Sequence, residues 1–220
     1  MNRITVGILC GRGETDEALK VIQRINSDPL VENVLPLFPV APRKCAGHYI
    51  YYPPAAQNRR GAARTAMLGV LSKLSDTDYT VMLDDDTLPL PGYFEAIATL
   101  SKTDVPTLMT GKLLNADGQR CWDVCAFDGD VPVIIPYEFW GSGAYADTCY
   151  FSGPQHILNA AGMKLAVATG YPDISYGEDT AFCRQFISKG GVLSPILGIT
   201  AQLLHQHNAP NLSNCGVHWS

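Results

Sequence analysis

Tyr79-Thr-Val-Met-Leu-Asp84-Asp85-Asp86-Thr87 is the stretch from which the rest of the chain is best read. Apolar and β-branched residues run straight into three consecutive carboxylates. A short run of this kind predicts a buried strand. Carboxylates packed at the end of such a strand repel one another and lose hydration unless a cation lies among them. Open α/β sheets also place their ligands at the carboxyl ends of their strands. Two readings stand: a divalent-metal site at the edge of a central strand, or an Asp-rich solvated turn, since Asp is common in turns.

Upstream of this stretch, Ala63, Met67, Val70, Leu71 and Leu74 recur at helical spacing, with Asn58 as a candidate cap. Ile4 to Cys10 reads as a first strand that ends at Gly11-Arg12-Gly13. A helix follows, with Ala18, Leu19, Val21, Ile22 and Ile25 on one face and Glu14, Asp16 and Glu17 in or near its first turn. Val31 to Phe38 is a second apolar run. Ala41 to Gln57, with Pro42, Pro53 and Pro54, predicts a long loop, and loops of that length are usually functional or mobile. Downstream, Leu88 to Gly92 is a turn, and Tyr93 to Leu100 a short helix. Strand and helix thus alternate three times, which predicts an α/β fold with a mostly parallel sheet and helices on both faces.

The second half is less regular. Thr107 to Leu114 predicts a fourth strand, Asn115 to Gly118 a turn, and Gln119 to Val124 its hairpin partner. Val131 to Ile135 is apolar, and Tyr137 to Tyr150 reads as a loop rich in Gly and aromatic residues. A short helix is expected from Gln155, ended by Gly162. Glu178-Asp179 opens another helix, with Phe182, Cys183, Phe186 and Ile187 on one face. Val192 to Leu193 and Ile199 to Leu204 predict short strands, the second running into His205-Gln-His207.

Composition bounds the function. The chain has 220 residues, 46% hydrophobic and 17% charged, enough for one sizeable core. One domain over 1–207 with a polar tail over 208–220 is expected. Net charge is -5, and the one basic cluster (Arg59, Arg60, Arg64) is too small for a nucleic-acid footprint. No apolar run reaches the roughly 18 residues of a membrane span, and the amino terminus reads as a strand, not a signal peptide. The seven cysteines lack paired metal-type spacing, which predicts reduced, mostly buried thiols and a cytoplasmic protein.

Three polar clusters end apolar elements: Asp84-Asp85-Asp86, Glu178-Asp179 and His205/His207. Each has a plain structural explanation alone, such as acidic residues favoured in a helix's first turn. Together they suit a hard or borderline divalent cation beside a carboxylate base.

These residues carry a resemblance. The aspartate triplet after a hydrophobic strand is similar to the Asp-x-Asp signature of the family 2 glycosyltransferases, which have the GT-A fold. Asn58-Arg-Arg-Gly61-Ala-Ala-Arg64 resembles that family's Asn-x-Gly-x-x-x-Ala-Arg-Asn helix, with Thr65 where Asn is usual. Leu113 to Trp122 resembles its strand-turn-strand, and Phe151-Ser152-Gly153 the segment before its acceptor helix. Tyr176-Gly-Glu-Asp179-Thr-Ala-Phe-Cys-Arg184 resembles its Gly-Glu-Asp stretch, and His205 falls where many members place a metal-ligating His. The ordered set spans about Ile4 to His207. Two features depart from the pattern. Val34 to Pro42 lacks the Asp that contacts the nucleobase, and the first strand ends in Cys10-Gly11-Arg12-Gly13 in place of Pro-x-Tyr-Asn. Base recognition would then come from the backbone near Gly11 and from Arg12 or Arg64.

The resemblance implies inverting transfer of a sugar from a nucleoside-diphosphate sugar to a carbohydrate or other hydroxyl acceptor, with Mn2+ or Mg2+ as cofactor. Asp86 and His205 would hold the metal. Asp84, Asp85, Arg64, Arg12 and Gly11 would face the donor. Asp179 would be the general base, with Glu178 its substitute or a donor contact. Trp140, Ser152 and Gly153 would meet the acceptor. Two rivals are weighed: a sugar nucleotidyltransferase, faintly echoed by Leu9 to Thr15, and a nucleotide-sugar-binding module without turnover.

Overall fold

A computed structural model describes residues 1–45, 47–51, 59–74, 76–128, 131–140, 149–151, 153–174 and 177–205. β1 (Ile4–Leu9), α1 (Asp16–Asn26), β2 (Val31–Phe38), β3 (Ile50–Tyr51), α2 (Arg60–Leu74) and β4 (Tyr79–Asp84) form the first half. Then follow β5 (Thr87–Pro89), α3 (Tyr93–Ala98), β6 (Thr107–Leu114), β7 (Val124–Asp128), β8 (Val131–Ile134), β9 (Cys149–Phe151) and β10 (Gln155–Asn159). α4 (Ala160–Thr169), α5 (Glu178–Ser188) and β11 (Val192–Leu203) follow among the described residues.

The main sheet runs β3-β2-β1-β4-β10-β6-β11-β5. β3, β2, β1 and β4 are parallel, as are β6 and β11. β10 is antiparallel to both its neighbours, and β5 to β11. A small antiparallel sheet, β8-β7-β9, stands beside it. This is the expected α/β class.

Alternation along the strands builds two cores. Ile4, Val6 and Ile8 of β1 join Val81 and Leu83 of β4 against α1 (Ala18, Val21, Ile22, Ile25) and α3 (Tyr93, Phe94, Ile97). Met82 and Leu158 face the other way, onto α2 (Met67, Leu68, Leu71), α4 (Met163, Ala166) and α5 (Phe182, Cys183, Phe186). Period-two strands between period-3.6 helices give this sandwich directly. Thr15 caps α1 by accepting from the Ala18 N–H at 3.1 Å. Cys10, Cys121, Cys125 and Cys183 are buried, as expected. No helix among the described residues is long and apolar enough to cross a membrane.

Several expectations are corrected. Gln155 to Asn159 is a central strand, not the start of a helix. The helix begins at Ala160, where Asn159 caps it, and Gly162 lies in its first turn as the donor to Asn159 Oδ1 at 2.7 Å. Gln119 to Val124 returns as a hairpin partner only over its first residues: the Asn115 N–H donates to Gln119 O and the Cys121 N–H to Leu113 O, both at 2.7 Å, around the Leu114–Arg120 bridge, after which Val124 joins the small sheet. The two short C-terminal strands are one, β11, with an irregularity between Ile196 and Thr200. Asn58, most of the 137–150 loop and the 208–220 tail lie outside the described residues.

Gly61 in the first turn of α2 has a packing reason. A Cβ built there would collide with the Pro172 carbonyl, and its N–H donates to Ile174 O at 3.3 Å. Gly61→Ala is expected to cost about 2 kcal/mol by overpacking. Thermal denaturation should show a drop of roughly 4–8 °C, and an unchanged midpoint would refute the close packing of α2 on the segment before α5.

Candidate functional site

One edge of the sheet gathers the polar residues. β1 and β4 are parallel and in register, Leu9 beside Asp84, so Gly11-Arg12 and the aspartates leave the sheet together. The Asp85 N–H donates to Leu9 O at 3.2 Å. β11 leaves the sheet at the same edge, where the Leu204 N–H donates to Asp86 O at 2.8 Å, so His205 comes next to the triplet. β10 runs the opposite way and begins here, which brings in Gly153 and Pro154. The amino-terminal turns of α2 and α5 add Arg64, Glu178 and Asp179.

The three aspartates have different surroundings. Asp84 faces inward to Arg64, whose Nη2 hydrogen-bonds Oδ2 at 3.0 Å and touches Oδ1 at 2.9 Å. Burial raises the Asp84 carboxyl, Arg64 restrains the rise and Asp86 adds to it. Asp85 is 5% exposed, and its Oδ2 is buried with no hydrogen-bond partner among the described residues. Burial pushes its carboxyl up to about 6, with Arg12 opposing and Asp86 and Asp84 adding. Asp86 Oδ1 accepts from the Thr87 hydroxyl at 3.4 Å, and its Oδ2 faces Arg12.

Arg12 ties this edge together. Its Nη2 lies 3.4 Å from Asp86 Oδ2, 3.5 Å from Asp85 Oδ1 and 3.8 Å from Glu17 Oε2. Its Nη1 lies 2.9 Å from His205 Nε2, which is itself 3.1 Å from Glu17 Oε2. The orphaned Asp85 oxygen and the convergence of Asp85, Asp86 and His205 on one cation fit a divalent ion. Among the described residues no three His, Cys, Asp or Glu side chains form a metal cage. Such an ion would have two protein ligands, Asp86 and His205, and complete its shell with substrate and water oxygens, as Mg2+ commonly does.

Arg64 is 3% exposed and is held between Asp84 and Glu178, with its Nε 3.3 Å from Glu178 Oε1. Burial disfavours its charge, but the neighbouring carboxylates more than restore it. Glu178 is 4% exposed, and burial raises its carboxyl against the pull of Arg64. Asp179 is oriented differently. Its Oδ2 accepts from the Gly153 N–H at 2.7 Å and its Oδ1 from the Thr180 N–H at 2.7 Å. Gly153 holds φ at 115°, a conformation that favours glycine. Two residues expected in different roles, Asp179 and Gly153, are therefore directly bonded.

The other expected residues stand as follows. A Cβ at Gly11 would meet nothing within 4 Å, so no close approach among the described atoms explains that glycine. Trp140 is 8% exposed, edge-on to Tyr137 at 5.0 Å and 5.6 Å from the Arg120 guanidinium, and its indole N–H has no partner among the described residues. Ser152 and His207 lie outside the described residues.

Sequence reasoning missed Glu17, Asp123, Tyr171 and His156. Glu17 offered only a favourable charge for the start of α1. Asp123 is buried, ion-paired to Arg120 at 2.6 Å, and accepts from the Leu113 N–H of β6 and the Val124 N–H of β7, so it ties the small sheet to the main one. Tyr171 lies beneath Arg64, 5.9 Å from ring centroid to guanidinium. Its hydroxyl meets His156 Nδ1 at 2.5 Å, and His156 stacks on Phe182 at 5.9 Å. Burial, then the Arg64 charge, lowers His156 to about 3. Between about 6.5 and 3 the unfolded chain therefore binds a proton that the fold refuses, and stability falls as pH falls, by about 1.4 kcal/mol per unit. His156→Gln should flatten the thermal midpoint between pH 6.5 and 4, while a slope as steep as the wild type's would assign the acid sensitivity elsewhere.

No protein-family model and no curated protein matches the sequence. Solved structures do match. GalNAc-T7 with UDP, GalNAc and Mn2+ is similar at a TM-score of 0.64 and 11% identity, over 94% of this chain and 44% of its own. Glucosyl-3-phosphoglycerate synthase from Mycobacterium tuberculosis, in complex with phosphoglyceric acid, is similar at 0.55 and 14%, over 95% of this chain and 73% of its own. This chain thus spans less than half the length of GalNAc-T7 in that structure. At these identities the likeness is one of fold: the chain has the GT-A fold of the nucleotide-sugar glycosyltransferases.

Proposed function

We propose that this chain is an inverting, metal-assisted glycosyltransferase that moves a sugar from a nucleoside-diphosphate sugar to an acceptor hydroxyl. The observation that carries this reading is the meeting of the aspartate triplet and His205 with the Arg64–Glu178 pair and Asp179 at one sheet edge. The fold it shares with two glycosyltransferases supports the same class. So does the unpartnered Asp85 oxygen, which a cation would satisfy.

The residues divide the work. Asp86 and His205 hold a divalent ion, Mn2+ as in GalNAc-T7 or Mg2+. The chemistry such an ion supplies when bound is Lewis-acid neutralisation of the departing diphosphate. Asp84, locked by Arg64, and Asp85 line the donor side. Asp179, oriented by Gly153 and Thr180, takes the proton from the acceptor hydroxyl as it attacks the anomeric carbon from the face opposite the diphosphate. Glu178 is committed to Arg64, so it serves that alignment. Trp140 and Gly153 stand on the acceptor side, beside the small sheet.

The test is product analysis with a panel of nucleoside-diphosphate sugars and Mn2+ or Mg2+. Release of nucleoside diphosphate with an inverted anomer, lost on chelation and in Asp86→Ala, is the expected result. Pyrophosphate release would identify a nucleotidyltransferase, and binding with neither hydrolysis nor transfer would identify a binding module.

A further inference from the structure

We infer that Arg12 is a resident cation in the metal seat, and that a divalent ion enters only by displacing it. The inference rests on the reading of Asp86 and His205 as metal ligands. Both proposed ligands already share one positive group, since the two terminal nitrogens of Arg12 reach Asp86 Oδ2 at 3.4 Å and His205 Nε2 at 2.9 Å. The same guanidinium is within 3.5 Å of Asp85 and 3.8 Å of Glu17. Three carboxylates and an imidazole thus face a single side chain.

Two physical arguments make this a competition. His205 Nε2 has one lone pair, which can accept from the guanidinium or bind a metal but not both, and a divalent ion on Asp86 Oδ2 would stand against the Arg12 positive charge. The seat also needs positive charge before any ligand arrives. Carboxylates gathered at a desolvated strand end repel one another, and Asp85 Oδ2 is buried without a partner. Arg12 supplies that charge from the turn after β1, and at 47% side-chain exposure it has room to leave. Its carboxylate contacts, at 3.4, 3.5 and 3.8 Å, are longer than tight charge-assisted bonds of about 2.8 Å, as befits a displaceable occupant.

The experiment measures Mn2+ uptake by the protein without nucleotide, from the loss of the free-ion paramagnetic resonance signal. It compares wild type, Arg12→Gln, Arg12→Lys and Asp86→Asn, each also in thermal denaturation. Arg12→Gln should bind Mn2+ about five- to tenfold more tightly than wild type, since several half-exposed ion pairs no longer compete. Arg12→Lys, which keeps the charge, should stay nearer wild type. Without metal, Arg12→Gln should melt lower than wild type, and Mn2+ should raise its midpoint by more than it raises the wild type's.

Equal, weaker or unmeasurable Mn2+ uptake by Arg12→Gln, while Asp86→Asn weakens uptake by the wild type, overturns the inference and leaves the metal ligands standing. If Asp86→Asn takes up Mn2+ as the wild type does, the ligand assignment itself is wrong, and the inference goes with it.

Discussion

Asp179→Asn is expected to retain donor binding and to lose about 10²–10⁴-fold in turnover, the usual contribution of a positioned general base. The expectation depends on how the carboxylate is held. Backbone N–H groups from Gly153 and Thr180, both at 2.7 Å, set its orientation from two elements. One donor lies at the start of α5, and the other on the turn into β10 that also bonds the end of β4 through Pro154 O and the Asp84 N–H at 3.1 Å. The carboxylate is therefore fixed relative to the aspartate triplet by main chain. Asparagine can keep one of these two acceptor contacts, so the variant should fold with a loss of about 1 kcal/mol. The check is a pair of measurements: calorimetric binding of a nucleoside-diphosphate sugar with Mn2+, and kcat for transfer. Binding close to wild type with kcat reduced at least a hundredfold is the expected pair. Near-normal kcat would remove Asp179 from the chemistry. Glu178→Gln would not mimic this outcome, because Glu178 lies 3.3 Å from Arg64 Nε and its loss should lower the melting temperature first.

How far the sequence could be read depended on whether a signal was local. β1, α1, β2, α2 and β4 are each defined by a period of apolar residues and a stop, and all five were legible. The meeting of Leu9 and Asp84 followed, because two parallel neighbours in an α/β sheet end at one edge. β10 was misread because it is buried on both faces. Gln155 and His156 are 2% and 1% exposed, so their polarity marks no solvent side. A five-residue run without alternation cannot be told from a helix start by periodicity. The hairpin ends after Cys121, short of the expected Val124, for a related reason: Asp123, a residue of surface type, is buried and spends its oxygens on the Leu113 and Val124 N–H groups and on Arg120. The candidate site was legible by type but not by pairing. Aspartates after a strand and a Glu-Asp at a helix start were visible. No spacing announced that Arg12 would meet His205, 193 positions later, or that Glu17 would stand between them. The equal roles expected for Asp84 and Asp85 also divided once their partners were known, one bonded to the buried Arg64 and one facing the half-exposed Arg12.

Arg64→Met should cost about 3–5 kcal/mol, because it leaves the buried Glu178 and the partly buried Asp84 without their shared cation. For a chain of this size that is a fall of roughly 6–20 °C in melting temperature. Arg64 is 3% exposed, and its Nε and Nη2 reach different partners, Glu178 Oε1 at 3.3 Å and Asp84 Oδ2 at 3.0 Å. Arg64→Lys should not restore the wild type, since a single ammonium cannot reproduce a planar fork between two carboxylates. The loss should also depend on pH in a stated direction. Burial already raises Asp84 and Glu178 above their ordinary values with Arg64 present, and removing the cation raises them further. A carboxyl whose folded value lies above its unfolded value carries no penalty while both states are protonated. The penalty grows as pH rises from the unfolded value through the folded one. The difference in melting temperature between Arg64→Met and wild type should therefore be larger at pH 8 than at pH 5. The triple variant Arg64→Met/Asp84→Asn/Glu178→Gln should recover part of the stability, because it removes both stranded charges. A loss of the same size at both pH values, unrelieved in the triple variant, would mean that Arg64 stabilises through the packing of its chain and its contact with Tyr171, not as the shared cation of Asp84 and Glu178.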